Sequence, residues 1–181
     1  SGNLTTFILK KKPKKVYAIE KDDELVLLLQ DKFANEITII NDDVLKISED
    51  KISSEKLIVF GNLPYNISTE ILSKWITNLD KKIWFESLVL MFQKEVAERI
   101  IAECNTSKYG RLSILSNWKL NIKKIIDIKP KSFSPRPKID STLLLFTPRE
   151  KIFELKDAKN LEMITRVFFS QRRKMLKKPF N

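Results

Sequence analysis

No histidine occurs in the 181 residues, cysteine appears once, as Cys104, and glycine only three times, at Gly2, Gly61 and Gly110. Each scarcity closes a route. Without histidine, zinc hydrolysis and imidazole acid/base catalysis lose their usual side chain. A lone cysteine forms neither an internal disulfide nor a cysteine metal cluster, so no metal is expected. No apolar run approaches the ~20 residues a membrane-spanning helix needs, and Ser1 does not open a signal peptide; the expectation is a protein with no membrane partner in a reducing, cytoplasmic setting. What the chain holds in excess is positive charge, with 34 Lys plus Arg against 23 Asp plus Glu and a formal charge of +11. That balance favours an anionic partner, of which nucleic acid is the commonest large one, although a lysine-rich surface is also often merely solvated. A hydrophobic content of 43% suffices for a real core, and the length fits one ordinary domain, expected as a monomer, with at most a small appendage.

Periodicity gives the order of elements. Leu4 to Lys11 reads as a helix start and Lys15–Ile19 as a short strand. Asp22 to Phe33 reads as a helix with Leu25, Leu28 and Leu29 on one face. Glu36–Ile40 and Leu57–Phe60 are strands, Thr69 to Asn78 a helix, and Ser87–Phe92 a strand running into a helix over Lys94 to Ala102. Asn117 to Ile128 and Ser141 to Phe146 read as later strands, and Leu161 to Leu176 as a basic helix. Strand and helix alternating at this spacing predicts an α/β fold with a mainly parallel sheet and ligands at the carboxyl ends of its strands.

Chemistry concentrates at three strand ends. Glu20 closes one strand, where a carboxylate can accept from two ribose hydroxyls. Asp43 follows the next strand and can accept from the amine of an adenine. After Leu57–Phe60 comes Gly61-Asn62-Leu63-Pro64-Tyr65. Asn62 offers a side-chain oxygen, and Pro64 restrains Leu63 to an extended conformation that turns its carbonyl toward a ligand. Tyr65 offers a flat face against which an unstacked base can lie while its amine is held by the two oxygens. Each feature also suits a plainer role: Asn62–Tyr65 an ordinary turn with Tyr65 in the core, Glu20 and Asp43 solvated loop starts.

Five ordered segments bear on that choice. Asn62-Leu63-Pro64-Tyr65-Asn66-Ile67-Ser68, Gln93-Lys94-Glu95-Val96-Ala97-Glu98-Arg99, Tyr109-Gly110-Arg111-Leu112-Ser113, Phe133-Ser134-Pro135-Arg136-Pro137-Lys138-Ile139-Asp140-Ser141 and Phe169-Ser170-Gln171-Arg172-Arg173-Lys174 stand in one line along the chain. With them the chain resembles the ribosomal RNA adenine dimethyltransferase family. The resemblance implies a Rossmann-like class I methyltransferase sheet over 1–148, then over 149–181 a linker and the first basic helix of a small helical domain. It implies dimethylation of the N6 amine of adenines in small-subunit ribosomal RNA, with S-adenosylmethionine as cofactor and the small ribosomal subunit as partner. By the same resemblance Asn62, Leu63, Pro64, Tyr65 and Phe133 form the catalytic set, and Gly2, Glu20, Asp43 and Asn62 meet the cofactor. Arg136, Lys138, Arg172, Arg173 and Lys174 would follow RNA phosphates. From the residues alone, Phe133 also suits a core position, and the cations also suit solvent or pairing with Glu95 and Glu98.

One departure accompanies these matches. A methyltransferase of this type carries a glycine-rich turn between its first strand and first helix, and Ser1-Gly2-Asn3-Leu4-Thr5 resembles only the tail of that turn. The expectation is a chain lacking the first strand and part of the helical domain, and impaired in cofactor binding. Two rival functions stay in view: a large-subunit adenine methyltransferase conferring antibiotic resistance, and a noncatalytic RNA-binding assembly factor.

Overall fold

The computed structural model describes residues 2–79 and 82–170. Two compact units divide it, Ser1–Ser48 and Glu49–Asn181.

In the first unit, α1 (Asn3–Leu9) precedes β1 (Tyr17–Glu20), α2 (Asp23–Phe33) and β2 (Thr38–Asn41), and β1 and β2 pair in parallel from Tyr17↔Thr38 to Glu20↔Asn41. The start of α2 is written in sequence. The Asp22 carboxylate accepts from the amides of Glu24 and Leu25 at 3.0 and 3.1 Å, and Asp23 and Glu24 add charge where the helix dipole favours it. Val26 and Phe33 are its buried residues, while Leu27 and Leu28 are exposed.

The second unit holds β3 (Leu57–Gly61), α3 (Ser68–Asn78), β4 (Phe85–Gln93), α4 (Lys94–Ile100), α5 (Arg111–Lys119), β5 (Leu120–Ile128), β6 (Ser141–Pro148) and α6 (Ala158–Ser170). Its sheet runs β3-β4-β6-β5. The β4 strand is parallel to β3 and antiparallel to β6, and β5 is antiparallel to β6. The buried positions Phe85, Leu88, Leu90, Met91 and Phe92 explain why β4 reads as a nearly continuous apolar run, as a central strand does. On α3, Ile71, Leu72, Trp75 and Ile76 recur at helical spacing and are all buried. Phe92 and Phe146 meet edge to face, with 6.1 Å between ring centroids. Each such side chain contributes roughly 1.5–3 kcal/mol when removed from water.

Two expectations are corrected. The stretch from Asn117 is not all strand: Asn117, Trp118 and Lys119 end α5, and β5 begins at Leu120. The sheet is also less parallel than the alternation predicts, because β5 and β6 are joined without a crossover helix and therefore pair antiparallel. The α/β class and the strand at Ser141–Phe146 agree with the sequence reading. The basic helix covers Ala158–Ser170; the rest of its expected span lies outside the described residues. Among the described residues no helix is long and apolar enough to cross a membrane.

Candidate active site

In the first unit, Glu20 and Asp43 come to the same end of the β1–β2 pair. Glu20 is the last residue of β1, and its Oε1 accepts from the backbone amides of Lys21 at 2.9 Å and Asp22 at 3.1 Å. A carboxylate has about four acceptor positions, so the second oxygen keeps two for a diol. Asp43 lies two residues beyond β2. The Leu45 amide on its Oδ1 at 2.9 Å, with the Lys21 ammonium 3.6 Å from Oδ2, holds the Asp43 carboxyl below its ordinary value. Both groups therefore present anionic acceptors, which suits ribose hydroxyls and an exocyclic amine.

Gly2 has a structural reason to be glycine. Its φ is +62°, and an added Cβ would stand 2.6 Å from the Phe33 ring. The left-handed backbone and that close approach both exclude a side chain.

In the second unit, β3 delivers the Asn62–Tyr65 turn. Gly61 ends the strand opposite Leu90, and a Cβ there would meet Leu90 Cδ2 at 2.7 Å and Leu63 Cδ2 at 3.1 Å. The Leu63 side chain thus folds back onto the strand, which leaves its backbone as the part free to serve a ligand. Asn62 is exposed, and its side chain makes no hydrogen bond to a described residue. Pro64 is exposed, and its carbonyl accepts from the Ile67 amide at 3.1 Å. Tyr65 is half-buried: its carbonyl accepts from Ser68 Oγ at 3.2 Å, and its phenol oxygen lies 2.6 Å from Ser141 Oγ.

Ser141 ties this turn to the loop that carries Phe133. It is the register partner of Gln93 at the end of β4 and of Ile128 at the end of β5. Loop 129–140 therefore leaves and re-enters the sheet at one point, the end to which the parallel strands β3 and β4 point their carboxyl termini. Phe133 is half-buried in that loop, and Arg136 and Lys138 are exposed. Arg172, Arg173 and Lys174 lie outside the described residues. The suggested acidic partners are engaged elsewhere, Glu95 with Arg99 at 2.5 Å and Glu98 with Lys108.

Charge is organised beneath the loop. Asp127 accepts from Lys124 at 2.8 Å and from Thr142 Oγ1 at 2.7 Å, and these hydrogen bonds, with Lys94 3.6 Å away, bring its carboxyl down to about 2. Lys129 donates to Asp140 at 2.6 Å, which raises the lysine above its ordinary value. Among the described residues no group of three or more His, Cys, Asp or Glu could hold a metal ion. A hollow of about 390 Å³ opens among Thr69, Ser73, Lys74, Thr77, Arg111 and Glu162, yet it includes no residue of the turn or the loop. Its cations are paired, Lys74 with Glu49 and Arg111 with Glu162.

Sequence reasoning passed over the two serines. Ser68 and Ser141 both fall within motif segments, but nothing in a sequence links a hydroxyl to a phenol 76 positions away.

The family model described as ribosomal RNA adenine dimethylase matches residues 1–181. Ribosomal RNA small subunit methyltransferase A of Pelagibacter ubique is 76% identical over 181 residues, all of this chain and 69% of that protein. The protein of the same name from a Wolbachia of Drosophila simulans is 43% identical, covering 97% of this chain and 65% of its own length. The chain thus spans about two thirds of the length of these relatives. Among solved structures, a dimethyladenosine transferase from Plasmodium falciparum superposes with a TM-score of 0.74 at 29% identity, over 92% of this chain and 59% of that one. The 23S rRNA methyltransferase ErmE superposes at 0.71 with 20% identity, over 99% and 71%, a likeness of fold. On the match over residues 1–181 and the 76% identity over the whole chain, the chain belongs to the ribosomal RNA adenine dimethylase family.

Proposed function

We propose that the protein containing this chain transfers methyl groups from S-adenosylmethionine to the N6 amine of adenines in small-subunit ribosomal RNA, twice per adenine. The observation that carries the reading is the joining of the Asn62–Tyr65 turn to the Phe133 loop through Tyr65 and Ser141. The turn and the foot of the loop that carries Phe133 thus meet at the carboxyl ends of β3 and β4, where α/β sheets hold ligands. The names of the relatives from Pelagibacter and Wolbachia favour the small subunit as substrate.

The acceptors on Glu20 and Asp43 fit the ribose and adenine amine of the cofactor, which when bound supplies an electrophilic methyl on a sulfonium. The remaining chemistry belongs to the second unit. An adenine drawn from its stack lies against Tyr65, with Phe133 beside it. Asn62 Oδ1 and the Leu63 carbonyl accept the two N6 hydrogens, which directs the nitrogen lone pair away from both oxygens and toward the incoming carbon. The amine is a weak nucleophile because that lone pair is delocalised into the ring, so orientation has to supply much of the rate; preorganisation is worth on the order of 7–11 kcal/mol. The proton leaves after nitrogen has become cationic. An acceptor suffices, and the absence of histidine is no handicap. Arg136 and Lys138, exposed on the loop, meet the RNA backbone.

Full-length protein incubated with labelled cofactor and undermethylated small subunits, then with large subunits, tests the reading. Dimethyladenine in small-subunit RNA is expected. Label confined to large-subunit RNA would assign the other substrate, and RNA binding without any label would make the protein an assembly factor.

A further inference from the structure

Tyr65 is restrained at both ends. Its backbone carbonyl is held by Ser68 Oγ, and the preceding carbonyl by the Ile67 amide. Its phenol oxygen is 2.6 Å from Ser141 Oγ. Ser141 is a fixed point, fully buried and paired in register with β4 on one side and β5 on the other. Its neighbours are tied as well: the Asp140 carbonyl accepts from the Lys94 amide at 2.9 Å, and Thr142 Oγ1 bonds Asp127.

The consequence for the ring is specific. Fixing the phenol oxygen relative to the backbone fixes χ1. Conjugation keeps the phenol hydrogen and its best lone pair in the plane of the ring, so a partner at a set position also biases χ2, which is otherwise a broad torsion. One hydroxyl thereby sets the tilt of the surface on which a base would stack.

We propose that Ser141 is a positioning residue for methyl transfer: through Tyr65 it sets the angle at which the adenine is presented to Asn62 and the Leu63 carbonyl. This rests on the assignment of Asn62–Tyr65 as the target-base site. It gives a chemical task to a fully buried serine.

The test uses full-length protein with Ser141→Ala, Tyr65→Phe, the double variant and Tyr65→Ala. Single-turnover methyl transfer to undermethylated small subunits is measured as a function of subunit concentration, alongside ¹⁹F NMR of 3-fluorotyrosine-labelled protein, in which the Tyr65 signal is the one that Tyr65→Phe removes. Ser141→Ala and Tyr65→Phe should each slow the saturated rate about five- to tenfold, a loss on the scale of one hydrogen bond and a small misalignment. The half-saturating subunit concentration should change little, and the double variant should be no slower than either single one. Ser141→Ala should also shift or broaden the Tyr65 signal. A thermal midpoint lowered by Ser141→Ala with the saturated rate intact would reduce Ser141 to a structural role and overturn the proposal. So would independent, multiplying effects of the two singles. If Ser141→Ala does not fold, Tyr65→Phe removes the same bond from the partially exposed side, and an unchanged rate there rejects the proposal. Tyr65→Ala separates the levels: full activity removes Tyr65 from the base site, whereas an inactive Tyr65→Ala beside a fully active Ser141→Ala rejects Ser141 alone.

Discussion

Glu49 Oε1 accepts from Trp75 Nε1 at 2.7 Å and from Lys74 at 2.5 Å, so one buried carboxylate fixes the segment before β3 to the middle of α3. Glu49 is 4% exposed. Removing it strands an indole N–H and takes one ion-pair partner from a lysine that is itself largely covered. Glu49→Ala should cost roughly 2–4 kcal/mol, read as a lowered urea midpoint at unchanged slope. Glu49→Gln, which keeps an acceptor for Trp75, should cost clearly less.

Asp127 gives a pH signature. Its carboxyl sits at about 2, below the ordinary carboxylate value of about 3.9, so it binds fewer protons folded than unfolded between those limits. The stabilisation is therefore complete above the ordinary value and disappears as pH falls toward 2. Carboxyl-carbon NMR titration should find that midpoint, and Thr142→Val should move it upward by removing one donor.

Asn62→Ala deletes the side-chain acceptor proposed to hold the adenine amine. Transfer should fall by about 10² or more, as when a preorganised polar group is lost from a reacting centre, with RNA affinity nearly unchanged in a filter-binding assay. Undiminished turnover would remove Asn62 from the role.

Gly61→Ala places a methyl 2.7 Å from Leu90 Cδ2, in a side chain that is fully buried. The strand or the leucine has to yield, at about 1–3 kcal/mol. Because the next residue is Asn62, the rate should fall further than the thermal midpoint implies, which calorimetry and single-turnover assays on one preparation would reveal.

What was legible in the sequence is what is contiguous in it. The Asn62–Tyr65 turn, Glu20 at the end of β1, Asp43 just beyond β2, and the motif order all lie within short windows, and the family follows from them. The helix Arg111–Lys119 was not legible because its inward face is polar. Ser113 bonds the Arg99 carbonyl, and Lys119, 1% exposed, reaches the Ile76 carbonyl at 3.1 Å. Hydrophobic periodicity does not register buried groups satisfied by hydrogen bonds. The Tyr65–Ser141 pair is hidden for another reason: it is a product of tertiary structure alone.

The position of β6 between β4 and β5 has a consequence for how the chain acquires its structure during synthesis. β4 and β5 are consecutive strands, yet neither is the other's neighbour; each waits for residues 141–148. The central strand of this half of the sheet is thus the last to leave the ribosome, and until it does β4 and β5 have open edges facing a gap. Non-local closure of this kind is slow and exposes strand edges to other chains. The step that seats β6 is also the one that brings Ser141 to Tyr65, so a nascent chain cannot form that contact before its sheet is closed.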